Sequence, residues 1–147
     1  MITLPRSQKI TPVQLERKAV VYIGQSTTKQ VRTNPESQRN QRALVERAPA
    51  LGWTKERIVV LDGDLGQSGT STTGRDDFTT LTADVALGHV GIIFGWEVSR
   101  LARNNADWYH LLDLAAVVGT LIADIEGVYD PRSYNDRLLL GLKRPAS

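Results

Sequence analysis

The chain has 147 residues, 41% of them apolar and 23% charged, with a formal net charge of +2, no cysteine and two histidines. That is enough chain for one domain with its own core, while the absence of cysteine excludes disulfides and thiolate zinc sites and the separation of His89 and His110 argues against a metal cluster. No apolar run approaches the roughly 18 residues that a membrane span needs, and Met1–Lys18 has no apolar signal core, so a cytoplasmic protein without membrane contact is expected.

Residues 1–17 show no period and read as a flexible arm. Ala19–Ile23 is a short, valine-rich apolar run, the pattern of a buried strand, and Ser26–Thr33 is a polar loop. Asn34-Pro35-Glu36 opens a helix, with a cap, a proline at the first position and an acid in the first turn. This helix is expected to run to Leu51, with Leu44, Val45, Ala48 and Leu51 on one face and Gly52 as its stop. Ile58–Leu61 is a second buried strand. Asp62–Gly74 is rich in Gly, Ser, Thr and Asp and reads as a long loop, a kind that is often functional. A helix over Asp76–Leu87 follows, with Phe78, Leu81 and Val85 on one side and Gly88 at its end.

Val90–Phe94 is a third strand and Val98–Arg103 a short basic connector. Asn104 or Asn105 caps the next helix, whose inward face is Trp108, Leu111, Leu112, Ala115 and Val118. Thr120–Ala123 is a fourth strand, Val128-Tyr129-Asp130-Pro131 a turn, and Asn135–Lys143 a last helix. This alternation predicts an α/β fold: one three-layer domain, with a four-stranded, mainly parallel sheet flanked by helices. The domain is expected over residues 18–143, followed by a tail at 144–147.

In such sheets, sites gather at the carboxyl ends of the strands. Here those ends lead into Gly24–Thr33, Asp62–Gly74 and Trp96–Arg103. The chain has no G-x-x-x-x-G-K-[ST] loop, no G-x-G-x-x-G after the first strand and no G-x-S-x-G elbow, which weakens NTPase, dinucleotide and hydrolase readings. What remains is Ser26 beyond the first strand and Arg75, Arg100 and Arg103 on the other edges. A serine hydroxyl among guanidinium groups suits phosphoryl transfer, because fixed donors stabilise the charge that builds on the phosphoryl oxygens. Taken singly, Ser26 reads as a turn residue and each arginine as a solvated surface group; together they point to one site. The charge distribution leans the same way. Residues 1–57 hold eleven Lys/Arg against four Asp/Glu, and thirteen of the eighteen basic residues are arginine, the better bidentate partner of phosphate.

Three ordered motifs resemble those of the serine recombinases, the resolvases, invertases and large serine integrases. Tyr22-x-x-x-Ser26-Thr27-x-x-Gln30 is similar to the nucleophile motif Y-x-R-x-S-T-x-x-Q. Asp64-x-Gly66-x-Ser68-Gly69 with Arg75 is similar to the mobile D-x-G-x-S-G…R loop. Ser99-Arg100-Leu101-Ala102-Arg103 is similar to [DS]-R-L-[AG]-R, and Asn135–Gly141 to the lead-in of the long dimer helix. The resemblance implies a site-specific DNA recombinase in which Ser26 attacks the DNA backbone, forms a 5′-phosphoserine link and later gives it up as the strands exchange and rejoin. Arg75, Arg100 and Arg103 would bind the scissile phosphate, and Tyr22 and Gln30 would shape the pocket. Bond energy stays in the covalent link, so no cofactor or metal is implied. The implied partners are DNA and further copies in a dimer or tetramer, and the setting is a mobile genetic element.

Two departures stand out. Position 24 is glycine where the motif has arginine. Position 99 is serine where resolvases have aspartate, a variant that some members share as E-x-S-R-L-A-R, with Glu97 able to supply the carboxylate. The chain also ends four residues after Lys143, at Arg144-Pro145-Ala146-Ser147, so a shortened copy with impaired activity is expected. A catalytically dead remnant acting as an interaction module and a small-molecule or nucleotide-binding α/β domain are the alternatives.

Overall fold

A computed structural model describes residues 8–23, 35–61, 72–102 and 104–145, and the side chains of these residues other than 37, 38 and 72–77. The elements in order are α1 (Pro12–Leu15), β1 (Lys18–Tyr22), α2 (Pro35–Leu51), β2 (Ile58–Leu61), α3 (Thr72–Ala86), β3 (Val90–Gly95), α4 (Asn105–Val118), β4 (Leu121–Ala123), β5 (Val128–Tyr129) and α5 (Tyr134–Leu142), with 3-10 turns at Lys55–Arg57 and Val98–Leu101. The sheet order is β2-β1-β3-β4-β5. The first four strands are parallel neighbours and β5 pairs antiparallel with β4.

The α/β three-layer reading holds, with five strands rather than four. Val128 and Tyr129, expected in a turn, form the extra strand. Only two residues pair, Ile122 with Tyr129 and Ala123 with Val128, and so short an edge strand leaves almost no alternation to read.

Side-chain alternation divides the core between the two faces of the sheet. Val20, Tyr22, Val90, Ile93 and Ile122 pack with Leu81 and Val85 of α3, the inward face of α4 and Leu140 of α5. Ala19, Val21, Ile92, Phe94, Leu121 and Ala123 face the other way, toward Leu44 and Ala48 of α2 and toward Trp53. Trp53 meets Phe94 edge-to-face, with ring centroids 6.3 Å apart, a favoured aromatic geometry. The helix faces expected from sequence are those that are buried: Leu44 and Ala48; Leu81 and Val85; Trp108, Leu111, Leu112 and Ala115.

The helix ends have local causes. Asn104 accepts a hydrogen bond from the Asp107 backbone N–H at 2.8 Å, so it is the cap of α4. Gly119 ends that helix at φ +85, a conformation that glycine adopts without strain. The helix expected over Asp76–Leu87 begins at Thr72 instead, because Ser and Thr suit first turns as well as loops.

Residues 8–17, expected to belong to a loose arm, are packed. Ile10 joins the second core face. Gln14 is buried, and its side-chain amide donates to the Gly119 carbonyl oxygen at 2.9 Å, closing the end of α4. Arg17 does the same for the Val118 carbonyl at 2.7 Å, and the Trp53 indole N–H donates to the carbonyls of Gln14 and Arg17 at 3.1 Å each. Polar side chains that satisfy helix-end carbonyls leave no hydrophobic period, so the sequence pattern shows nothing there. Among the described residues, no helix is long and apolar enough to cross a membrane.

Candidate active site at the carboxyl edge

Strand β1 lies between β2 and β3, so three chain segments leave the sheet side by side. The register sets Tyr22 beside Leu61 on one flank and beside Gly95 on the other. In the chain, Ser26 follows Tyr22 by four residues, the Gly/Ser-rich segment follows Leu61, and the basic connector follows Gly95. Ser26, Gln30, Arg103 and Gly24 lie outside the described residues, as does the stretch 62–71.

The connector is described in atomic detail. After Gly95 the chain bends at Trp96 and Glu97 and enters the 3-10 turn Val98–Leu101. Val98, Leu101 and Ala102 are buried in the same cluster as Tyr22. Their burial turns the intervening residues outward: Ser99 is half-buried and Arg100 exposed. The Arg100 Nε donates to Glu97 Oε2 at 3.1 Å, and the Arg100 backbone N–H donates to the Glu97 carbonyl at 3.0 Å. Glu97 has left the strand, and its carboxylate turns to Arg100 instead of following the β alternation. An exposed pair of this kind adds little stability, about 0–1 kcal/mol, and in it the guanidinium is turned toward Glu97.

Arg75 lies in the first turn of α3, not at the end of a loop. Tyr22 is a core residue at the rim of the sheet, in the same buried cluster as Leu81, Val98 and Leu101. The register thus sets Tyr22 beside the start of the connector that carries Glu97, Ser99 and Arg100. An open groove between α3 and α4 is lined by Phe78, Thr82, Asp107, His110 and Leu114, and its described lining includes none of Tyr22, Glu97, Ser99 and Arg100. Among the described residues, no group of His, Asp and Glu is placed to hold a metal ion.

One polar cluster on this edge escaped sequence reasoning. Asp124 follows β4 and, one residue beyond the Phe94–Ala123 pair, lies beside Gly95. Its buried carboxylate accepts from the backbone N–H groups of Glu126 and Gly127, at 2.8 and 3.1 Å, and pairs with Lys143 Nζ at 3.0 Å. Lys143 also reaches Glu126 at 2.7 Å. Burial alone would lower the Lys143 pKa, but Glu126 and Asp124 hold it well above the ordinary lysine value. Burial, then the Asp124 charge, pushes the Tyr129 phenol up. The one signal in the sequence was Asp124-x-x-Gly127, a turn in which the aspartate bonds its own following backbone.

Residues 19–144 match the family model described as Resolvase, N terminal domain. A relative from Sinorhizobium fredii, the uncharacterized protein y4bA/y4pH, is 56% identical over 135 residues, which are 92% of this chain. The chain spans about a fifth of that relative's length, 20%. Among solved structures, a resolvase family site-specific recombinase from Streptococcus pneumoniae superposes with a TM-score of 0.60 at 26% identity, covering 86% of this chain and 83% of the other. The N-terminal catalytic domain of TP901-1 integrase superposes at 0.57 over 86% of this chain and 91% of the other, and at 20% identity it speaks for the fold alone.

Proposed function

Because the chain belongs to the resolvase N-terminal domain family, we propose that it is the catalytic domain of a serine recombinase and that Ser26 is its nucleophile. The observation that carries this reading is the Tyr22–Gly95 register. It starts the segment leading to Ser26 beside the connector that bears Glu97, Ser99 and Arg100.

In this reading the Ser26 Oγ attacks a DNA phosphorus. The hydroxyl gives up its proton as the Oγ–P bond forms and the P–O3′ bond breaks, and the leaving oxygen takes up a proton to become a 3′-hydroxyl, so no net proton is gained or lost. The reverse attack by a 3′-hydroxyl restores the diester and frees the serine, so one high-energy bond is kept throughout. Arg100, held by Glu97, supplies a fixed positive charge to the phosphoryl oxygens, and Arg75 and Arg103 add to it. Tyr22 and Gln30 shape the pocket, DNA is the substrate, and strand exchange takes place between copies of the domain.

Gly24 favours a second reading, a folded interaction module without chemistry, because the family motif places an arginine there. Incubating the purified chain and its Gly24→Arg variant with random-sequence duplex DNA, then adding SDS, separates the two. The recombinase reading expects a covalent protein–DNA adduct, about 10²-fold more abundant with arginine at position 24 and absent after Ser26→Ala. Adduct that survives Ser26→Ala rejects the nucleophile, and no adduct from two folded variants leaves the module.

A further inference from the structure

The family match begins at residue 19, yet the residues before it are tied into the core and reach the far side of the domain. The close seat of this segment is visible at Gly91, where a Cβ would run into the Gln14 carbonyl oxygen. Helix α1 therefore rests directly on β3. From there the chain brings Lys9 to the β5–α5 junction. Its Nζ donates to the Val128 carbonyl at 2.7 Å and pairs with Asp136 Oδ2 at 2.9 Å. Asp136 sits in the first turn of α5 and is buried; the same oxygen accepts from the Asp130 backbone N–H at 2.9 Å.

The other end of α5 is held by the second lysine. Lys143 is the C-terminal cap residue, and its Nζ bridges Asp124 and Glu126. Both ammonium groups approach the same ring: Lys9 lies 5.9 Å and Lys143 5.3 Å from the Tyr129 centroid, within reach of a cation–π attraction. Helix α5 is only nine residues long, too short to hold its conformation without tertiary contacts. Between its two tethers it turns Leu140 inward and accepts the Trp108 indole N–H on the Leu140 carbonyl at 3.0 Å. Tyr134, Leu138 and Leu142, four residues apart along the helix, then face solvent.

We propose that Lys9 and Lys143 form a two-ended clamp, closed over Tyr129, that holds α5 in place on the domain. The N-terminal segment is then a working part of the catalytic domain's geometry and not an appendage. Removing Lys9 leaves Asp136 buried without its counter-ion, a costly state, and the helix gives way before the sheet does.

Hydrogen–deuterium exchange of the purified chain tests this without DNA, so its outcome is independent of the role of Ser26. Lys9→Met and Lys143→Met should each speed exchange at the amides of residues 137–142 by ~10-fold, while β1 and β3 keep their protection. Lys9→Arg, which keeps the charge, should restore slow exchange. Unchanged α5 exchange in both Met variants would overturn the clamp. So would an equal rise in α5, β1 and β3, which would mean a general loss of stability.

Discussion

Tyr22 of β1 and Gly95 of β3 are partners on the last rung of a parallel ladder, and the connector after Gly95 folds back so that Val98 and Leu101 pack in the same cluster as the Tyr22 ring. The edge of the sheet and the basic turn are thus one packed unit. Arg100 takes its position from the core beneath it as well as from Glu97.

The first prediction follows from that unit. Arg100→Ala should leave thermal stability within about 0.5 kcal/mol, because the residue is exposed, while cleavage falls by ~10²-fold or more through loss of a charge on the phosphoryl oxygens. Arg100→Lys should recover only part of the rate, since a lysine lacks the planar fork that Glu97 orients. Melting curves alongside adduct yields check both halves. A parallel fall in stability and yield would make Arg100 structural.

Two glycines of β3 should differ sharply in their tolerance of alanine. At Gly91 the new Cβ collides with the Gln14 backbone, so Gly91→Ala should cost about 1–3 kcal/mol or more. At Gly95 the nearest atoms are 3.6 Å away, an ordinary contact, and Gly95→Ala should change stability by less than about 1 kcal/mol. Urea unfolding midpoints distinguish the two.

Trp108 joins α4 to α5 through its fully buried ring and its bond to Leu140. Trp108→Phe should cost about 1–3 kcal/mol, because the ring shrinks in a packed core and the Leu140 carbonyl keeps only the Lys143 backbone N–H of its two donors. Trp108→Ala should cost about 3–5 kcal/mol through the cavity it leaves. Equilibrium unfolding measures each.

Acid should weaken the β5–α5 junction. Burial alone would raise the Asp130 pKa, but the side chain and backbone N–H of Arg132 donate to its carboxylate and hold it below the usual carboxylate value. A depressed folded-state pKa gives stability that is full above the ordinary value of about 4 and is lost as pH falls below it toward the folded value. Asp130→Asn should therefore be less stable than the parent at pH 7, with the gap closing as pH drops through 4 and below. A gap that stays constant down to pH 2 would remove Asp130 from the account.

Much of the fold was legible because its buried strands are continuous apolar runs and its helices carry strong periods. Ile58–Leu61 has the bounds expected for it, but it is the edge strand and only partly buried, with Val60 exposed, where a buried strand was expected; the inward faces of α2, α3 and α4 are those that the spacing marked. What stayed hidden is polar or very short. Gln14 and Arg17 cap a helix more than a hundred positions away, a pairing that no local pattern encodes. The Lys143–Asp124 bridge depends on β5 turning the chain back, and two strand residues give no alternation. At the candidate site, the motif spacing marked Arg100 and Glu97. Their mutual bond depends on the 3-10 turn at Val98–Leu101, which the motif spacing does not reveal.

The most direct test of the central claim is the chemical identity of the protein–DNA link. Nuclease digestion of the adduct from the Gly24→Arg chain, followed by peptide mass spectrometry, should find a nucleotide esterified to Ser26 through its 5′ phosphate, with free 3′-hydroxyls on the partner strands. A nucleotide on any other residue, or cleaved ends that carry free 5′ phosphates and no protein, would contradict it.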